Sequence, residues 1–207
     1  MKLYLNDTSP FSRAVLATAV LTNMPLTLEW VDPWATPDTL LRLNPFSTIP
    51  VLETEGSHAI LESLTICEYL LQHSSSAQLQ PVKATNTPRI VLLGQSKTLM
   101  EVAFRSAALA RFDAENNPLS IRGKQSIQRA IHSLVSRLEA EPTLFEPDFA
   151  SLYLHVALDY VLFRHSELLE PKTVDSVKTA LSNSPYQSTL NRISIEVLSK
   201  RPHYNEL

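Results

Sequence analysis

The apolar periodicity of this chain changes once, and that change limits what it can fold into. Up to residue 73, short alternating runs are interleaved with helix-spaced ones; past residue 88 only helix spacing remains. Such a pattern predicts a small α/β unit followed by an all-helical one. Residues 2–6 read as a short strand with apolar Leu3 and Leu5, closed by Asp7-Thr8-Ser9-Pro10. Pro10 suits the first helical position, where its missing N–H would be unpaired anyway. A buried helix follows over 13–21, and 26–31 alternates as a strand with Leu26, Leu28 and Trp30 on one side. A short helix after Pro37 is broken at Asn44-Pro45-Phe46. Residues 50–53 and 58–61 form two strands around a turn at 54–57, with Gly56 expected at its permissive position. The helix over 63–72 completes the order βαβαββα of a thioredoxin-like domain, assigned to 1–76. Residues 77–88 are polar and aperiodic and read as a linker; an all-α domain at 89–207 carries helices at 89–115, 122–140, 149–165, 171–182 and 186–199.

Three glycines (Gly56, Gly94, Gly123) in 207 residues leave no Gly-rich phosphate loop of the Rossmann or P-loop kind. Twenty-one acidic and 18 basic residues give a net charge of -3, with no concentrated positive charge to hold nucleic acid; Arg201-Pro202-His203 is too short for a basic arm. The single cysteine, Cys67, admits neither an internal disulfide nor a multi-Cys zinc cluster, and the six histidines lack joint metal-ligand spacing. The first residues turn polar at once, and no apolar run approaches the roughly 20 residues of a membrane span. The expectation is a cytoplasmic protein that binds neither metal, nucleic acid nor membrane.

Three segments carry a family resemblance: Thr8-Ser9-Pro10-Phe11-Ser12-Arg13-Ala14-Val15, Asn44-Pro45-Phe46-Ser47-Thr48-Ile49-Pro50-Val51-Leu52, and Leu61-Glu62-Ser63-Leu64-Thr65-Ile66-Cys67-Glu68-Tyr69-Leu70. In order and spacing, across about 70 residues, they resemble the cytosolic glutathione S-transferases. Val31-Asp32-Pro33-Trp34 is similar to a stretch of one bacterial serine-type branch, and residues 156–164 resemble the central helix of the family's second domain.

The resemblance implies a homodimeric enzyme that binds glutathione as co-substrate and directs its thiolate at a small electrophile. Ser9, at a helix N-terminus, would hydrogen-bond that thiolate. A free thiol has a pKa near 8.5, and lowering it by about two units takes roughly 2.7 kcal/mol, which a hydroxyl donor and a helix terminus can supply. No His or Lys base stands near Ser9 in sequence, so it is not the usual serine nucleophile. Serine at both Ser9 and Ser12 removes dithiol–disulfide chemistry. Ile49-Pro50 is the implied cis bond, with the Ile49 backbone pairing with the cysteinyl backbone of glutathione. Ser63 as N-cap would leave amides for the γ-glutamyl carboxylate, and Glu62 would take its ammonium. Phe11 and Thr48 complete the implied glutathione contacts. Phe11, Phe104 and Ala108 are the implied lining of the second-substrate pocket, in the cleft with the helical domain.

Other readings stand beside these. Ser9 also suits plain N-capping, and Thr8 is a competing hydroxyl. Cys67 lies on the apolar side of its helix and reads as inert, and Trp30, Trp34 and Phe46 read as core and dimer contact. Family members often carry Gly and then Lys, Gln or Arg where this chain has Ser47 and Thr48, so no cation meets the glycyl carboxylate there. Asp148-Phe149-Ala150-Ser151 reverses the family's usual Ser/Thr-x-x-Asp box, with Asp148 expected to cap. A binding or regulatory protein of this fold without turnover is the alternative.

Overall fold

A computed structural model describes residues 1–76, 78–112, 117–140 and 142–207. Strand β1 (Lys2–Leu5) is a central strand of the sheet, and its last three residues are fully or nearly fully buried. Helix α1 (Pro10–Leu21) returns the chain to β2 (Thr27–Trp30), which pairs parallel to β1 from Lys2↔Thr27 to Leu5↔Trp30. The short helix α2 (Asp38–Leu41) follows, with Leu40 its buried anchor. β3 (Val51–Glu53) then lies antiparallel to β1, and β4 (Ala59–Leu61) antiparallel to β3. The sheet order is β2-β1-β3-β4, closed by α3 (Ser63–His73) packing beside α1. The expected βαβαββα order is what forms.

The β3–β4 turn differs from expectation in one residue. Gly56 does not take a positive φ; Ser57 does, at 60°. The Thr54 N–H bonds to the His58 carbonyl and the Ser57 N–H to that of Thr54. Thr54 Oγ1 also accepts the His58 N–H at 3.2 Å, so side-chain bonding shapes this turn.

The chain forms two compact units: Met1–Pro81 with Ser188–Leu207, and Val82–Gln187. In the second, α4 (Thr87–Leu109) starts two residues earlier than expected, because Asn86 caps it and Pro88 fits its first turn. The expected helix over 89–115 ends at Leu109, and residues 113–116 lie outside the described residues. α5 (Pro118–Ala140), α6 (Phe149–His165) and α7 (Pro171–Ser182) follow. α6 is buried along most of its length, with Leu152, Leu154, Val156, Leu158 and Val161 enclosed on its different sides, which makes it the unit's central post. Polar contacts join it to α4: the Arg89 guanidinium forks onto the Asp148 carboxylate and donates to the Ser151 hydroxyl, and His165 Nε2 donates to the Ala103 carbonyl at 2.8 Å.

The expected single helix over 186–199 is broken. α8 (Gln187–Arg192) ends before Ser194, which caps the separate α9 (Ile195–Leu198) through a bond from the Val197 N–H.

Two helical glycines make opposite predictions. A Cβ at Gly94 in α4 meets nothing within 4 Å, so Gly94→Ala should stabilise the protein by about 0.5–1 kcal/mol in denaturant melts. A Cβ at Gly123 in α5 would overlap Ser106 Oγ of α4, while Ser106 Cβ would lie at 3.6 Å. Gly123→Ala alone should therefore cost about 1 kcal/mol or more, and adding Ser106→Ala should restore at least wild-type stability.

Candidate functional site

The register of three strands builds the candidate site. Tyr4 of β1 pairs with Val51 of β3, and Val51 pairs with Leu61 of β4. The end of β1, the start of β3 and the end of β4 therefore lie at one edge of the sheet. Leaving that edge are Ser9, four residues past Leu5; Ile49-Pro50, just before Val51; and Glu62-Ser63, just after Leu61. Motifs more than 50 residues apart in the chain thus share one end of one unit.

Ser9 is the N-cap of α1, with φ -72° and ψ 118°. Its Oγ accepts the Ser12 N–H at 3.2 Å and its carbonyl accepts the Arg13 N–H at 3.0 Å. Its own N–H bonds to Asn6 Oδ1 at 2.8 Å, so the residue is held from both sides. Capping spends a lone pair of the hydroxyl and leaves its proton, so capping and donation to an anion are compatible. Ser9 is 7% exposed. Ser12, wholly buried one turn on, has an Oγ with no hydrogen-bond partner among the described residues.

The Ile49–Pro50 peptide is cis. Among the described residues no hydrogen bond uses the Ile49 N–H or C=O, while its side chain packs on the cluster of Tyr4, Leu40 and Val51. Thr48 is exposed, and both its carbonyl and its Oγ accept from Asn44 Nδ2, at 2.8 and 2.9 Å. Asn44 is buried, and its Oδ1 also accepts the Phe46 N–H. This one side chain shapes the loop into the cis bond, a role that its sequence position as a helix breaker did not reveal; the Asx turn of Asn-Pro was the signal.

At α3 the roles shift by one residue from expectation. Glu62, not Ser63, occupies the N-cap position, at φ 66° and ψ 123°, and its own side chain makes no cap hydrogen bond. Ser63 is the first helical residue and is buried. For a non-glycine residue this backbone is strained, and such strain concentrates at ligand sites. The amides of the first turn of α3 have no side-chain acceptor from the cap and point outward from the helix end.

Phe11 lies in the first turn of α1 and is partly buried; Phe104 and Ala108 lie one turn apart on α4, in the second unit, and are partly buried too. Trp34 and Phe46 are not core residues: they are 54% and 75% exposed, because the turns that carry them lie outside the strand–helix packing. In the second unit Asp148 caps α6 by accepting the Ser151 N–H at 3.0 Å, as expected. Ser151 does not return to the Asp148 N–H; its hydroxyl donates to the Leu144 carbonyl. Among the described residues no group of three metal-ligating side chains forms, and no helix is long and apolar enough to cross a membrane.

Cys67 of α3 is fully buried and accepts from the Thr18 hydroxyl at 3.3 Å. Burial pushes its thiol up from 9.0 to about 12, against the opposing Thr18 bond. The unfolded chain then loses this proton first, so stability should be full below pH 9.0 and fall as pH rises towards about 12. Denaturant midpoints across that range should show a slope that Cys67→Ala reduces. Iodoacetamide should label Cys67 only upon unfolding.

Comparison with known proteins bears on the fold. Residues 8–73 match the family model of the glutathione S-transferase N-terminal domain. No curated protein matches the chain in sequence. Among solved structures, a glutathione transferase family member from Pseudomonas fluorescens Pf-5 with bound glutathione is 22% identical, with a TM-score of 0.76 over 91% of this chain and 97% of that one. A glutathione S-transferase from Methylobacillus flagellatus with glutathione bound is 18% identical, with a TM-score of 0.81 over 93% and 98%. Gtt2 of Saccharomyces cerevisiae is 16% identical, with a TM-score of 0.73 over 92% and 100%.

Proposed function

We propose that this chain, which belongs to the glutathione S-transferase superfamily, binds glutathione at the sheet edge of its first unit and activates the thiol through Ser9. What carries the reading is the register Tyr4↔Val51↔Leu61, which sets Ser9, Ile49-Pro50 and Glu62-Ser63 at one edge. The Ile49 N–H and C=O are available to an extended peptide backbone, as strand addition requires. The outward amides of α3 suit a carboxylate, and exposed Glu62 suits the ammonium beside it. The solved structures from Pseudomonas fluorescens and Methylobacillus flagellatus hold glutathione, which supports the same ligand here.

The chemistry asked of Ser9 is modest. The thiol proton leaves to water, and the Ser9 hydroxyl and the N-terminus of α1 stabilise the sulfur anion. The sulfur pair then forms the C–S bond to an electrophilic carbon. Either a leaving group departs with its own electron pair, or the adduct takes a proton from water. Phe11, in the turn that carries Ser9, is the apolar side chain of the first unit proposed to meet that electrophile. The proposed domain reading is 1–76 for glutathione, 77–88 as linker and 89–207 for the helical part, whose residues from Ser188 onward pack within the first unit.

Thr48 favours a second reading. With its oxygens occupied by Asn44 and no cation at its position, the glycyl carboxylate loses one anchor, as in a binding protein without turnover. Titration with glutathione decides between the two. Millimolar or tighter binding is expected, with the thiol of bound glutathione titrating below its free value by thiolate absorbance. Ser9→Ala should raise that pKa by about 1–2 units, the worth of one charge-assisted hydrogen bond. Absence of binding at millimolar concentration would sink the enzyme reading.

The chain is also proposed to act as a homodimer. Phe46 and Trp34, with Leu41 at 38% exposure, leave apolar side chains uncovered on one stretch of the first unit. Sedimentation at micromolar concentration should give a dimer, and Phe46→Ser should shift it towards monomer. A monomeric wild-type protein would refute the assignment.

A further inference from the structure

Arg13 is a charged residue in a place that folding alone seldom gives one. It stands one turn into α1, 8% exposed, four residues after Ser9. Its Nε donates to the Ile193 carbonyl at 3.0 Å and a terminal nitrogen donates to the Leu190 carbonyl, also at 3.0 Å. These carbonyls stand at the end of α8 and in the break before α9. Carbonyls at a helix end have no partner within the helix, and the dipole there is negative, so a guanidinium fork satisfies both needs at once. The segment from Ser188 onward is thereby held within the first unit. At its other end, the Arg13 backbone N–H bonds to the Ser9 carbonyl at 3.0 Å. One residue therefore grips the C-terminal segment with its side chain and the N-cap serine with its backbone.

From this geometry we infer that Arg13 is a positioning residue for Ser9: its fork onto the Leu190 and Ile193 carbonyls fixes the first turn of α1 and so the aim of the Ser9 hydroxyl. The inference rests on the assignment of Ser9 as the group that holds the glutathione thiolate. A hydrogen bond to a thiolate depends on the direction of the donor, and Ser9 Oγ keeps its direction through the Ser12 N–H, which the same turn supplies. Buried apolar residues would anchor α1 as a whole. The fork differs in anchoring the turn that carries the cap, and it makes the state of a segment some 180 residues away in sequence matter to the thiol.

Two variants separate the fork from the charge. Arg13→Lys keeps a cation but not two nitrogens in one plane, and Arg13→Met keeps the apolar stem alone. In both, the thiol pKa of bound glutathione should rise enough to leave roughly tenfold less thiolate at a fixed pH below it. In both, without glutathione, amide exchange at Ser12 and Arg13 should accelerate roughly tenfold relative to amides of α3, as a local opening. A rise in Arg13→Met alone would mean that charge acts and would overturn the inference. So would wild-type thiol pKa and exchange rates in variants that merely lose global stability. The exchange measurement needs no ligand, so wild-type protein that fails to bind glutathione refutes the assignment of Ser9 while the fork is still judged separately. Should neither variant fold, native-state exchange of the wild-type protein decides. The Ser12 and Arg13 amides should open together with those of Val197 and Leu198; independent opening would refute the coupling.

Discussion

The site depends on one constraint, the antiparallel register of β1, β3 and β4. A slip of one residue would turn Val51 and Leu52 from their buried partners and would shift Pro50 and Glu62 against Ser9. The register is fixed by burial, since Leu3, Leu5, Val51 and Leu52 are all fully enclosed. Hydrophobic packing thus sets the spacing of groups that are themselves polar. The two loops at that edge then need local devices of their own: the Asn44 side chain for one, and a positive φ at Glu62 for the other.

The second unit rests on a different kind of interaction. Arg89 is nearly buried beside Asp148; burial alone would lower its pKa, but the carboxylate raises it on balance. Such a pair adds little against an apolar substitute, yet removing one partner strands the other charge at a cost of about 3–5 kcal/mol. Its geometry explains why the reversed capping box survives. Asp148 caps α6 and receives Arg89 together, while Ser151 is freed to bond Leu144. The Tyr186 hydroxyl donates to the Asp148 carbonyl as well, so the start of α6 is a junction of four segments.

Most of the strand and helix order is legible in the sequence because the strands are short, carry apolar residues at alternate or successive positions and lie near Pro, Gly or Asx residues. Ser9 as a cap and Ile49-Pro50 as a special bond follow from motif and resemblance. What escapes are contacts whose sequence separation hides them. Arg13 reads as an ordinary helix residue until residues 190–193 return beside it, and Arg89 gives no sign of Asp148. Ser63 misses the expected N-cap position because the strain is taken by Glu62, a residue type with no propensity for positive φ. Large aromatic residues usually sit in a core, which is the basis for expecting Trp34 and Phe46 there, yet the turns that bear them have no layer to pack against.

Ser9 and Ser12 show how one spacing serves different chemistry with different atoms. In a thioredoxin-like frame, a residue at the N-cap and another three positions on face the same helix terminus. With sulfur at both they could exchange electrons as a pair; with oxygen at both they can only donate and accept hydrogen bonds. Here the division is asymmetric. The Ser12 backbone supplies the bond that orients Ser9 Oγ, while its own hydroxyl is buried and has no partner among the described residues. The cap therefore needs only the amide of residue 12, and the proton left on Ser9, at the N-cap itself, is the one placed to meet a ligand at the helix end, while the Ser12 hydroxyl is enclosed.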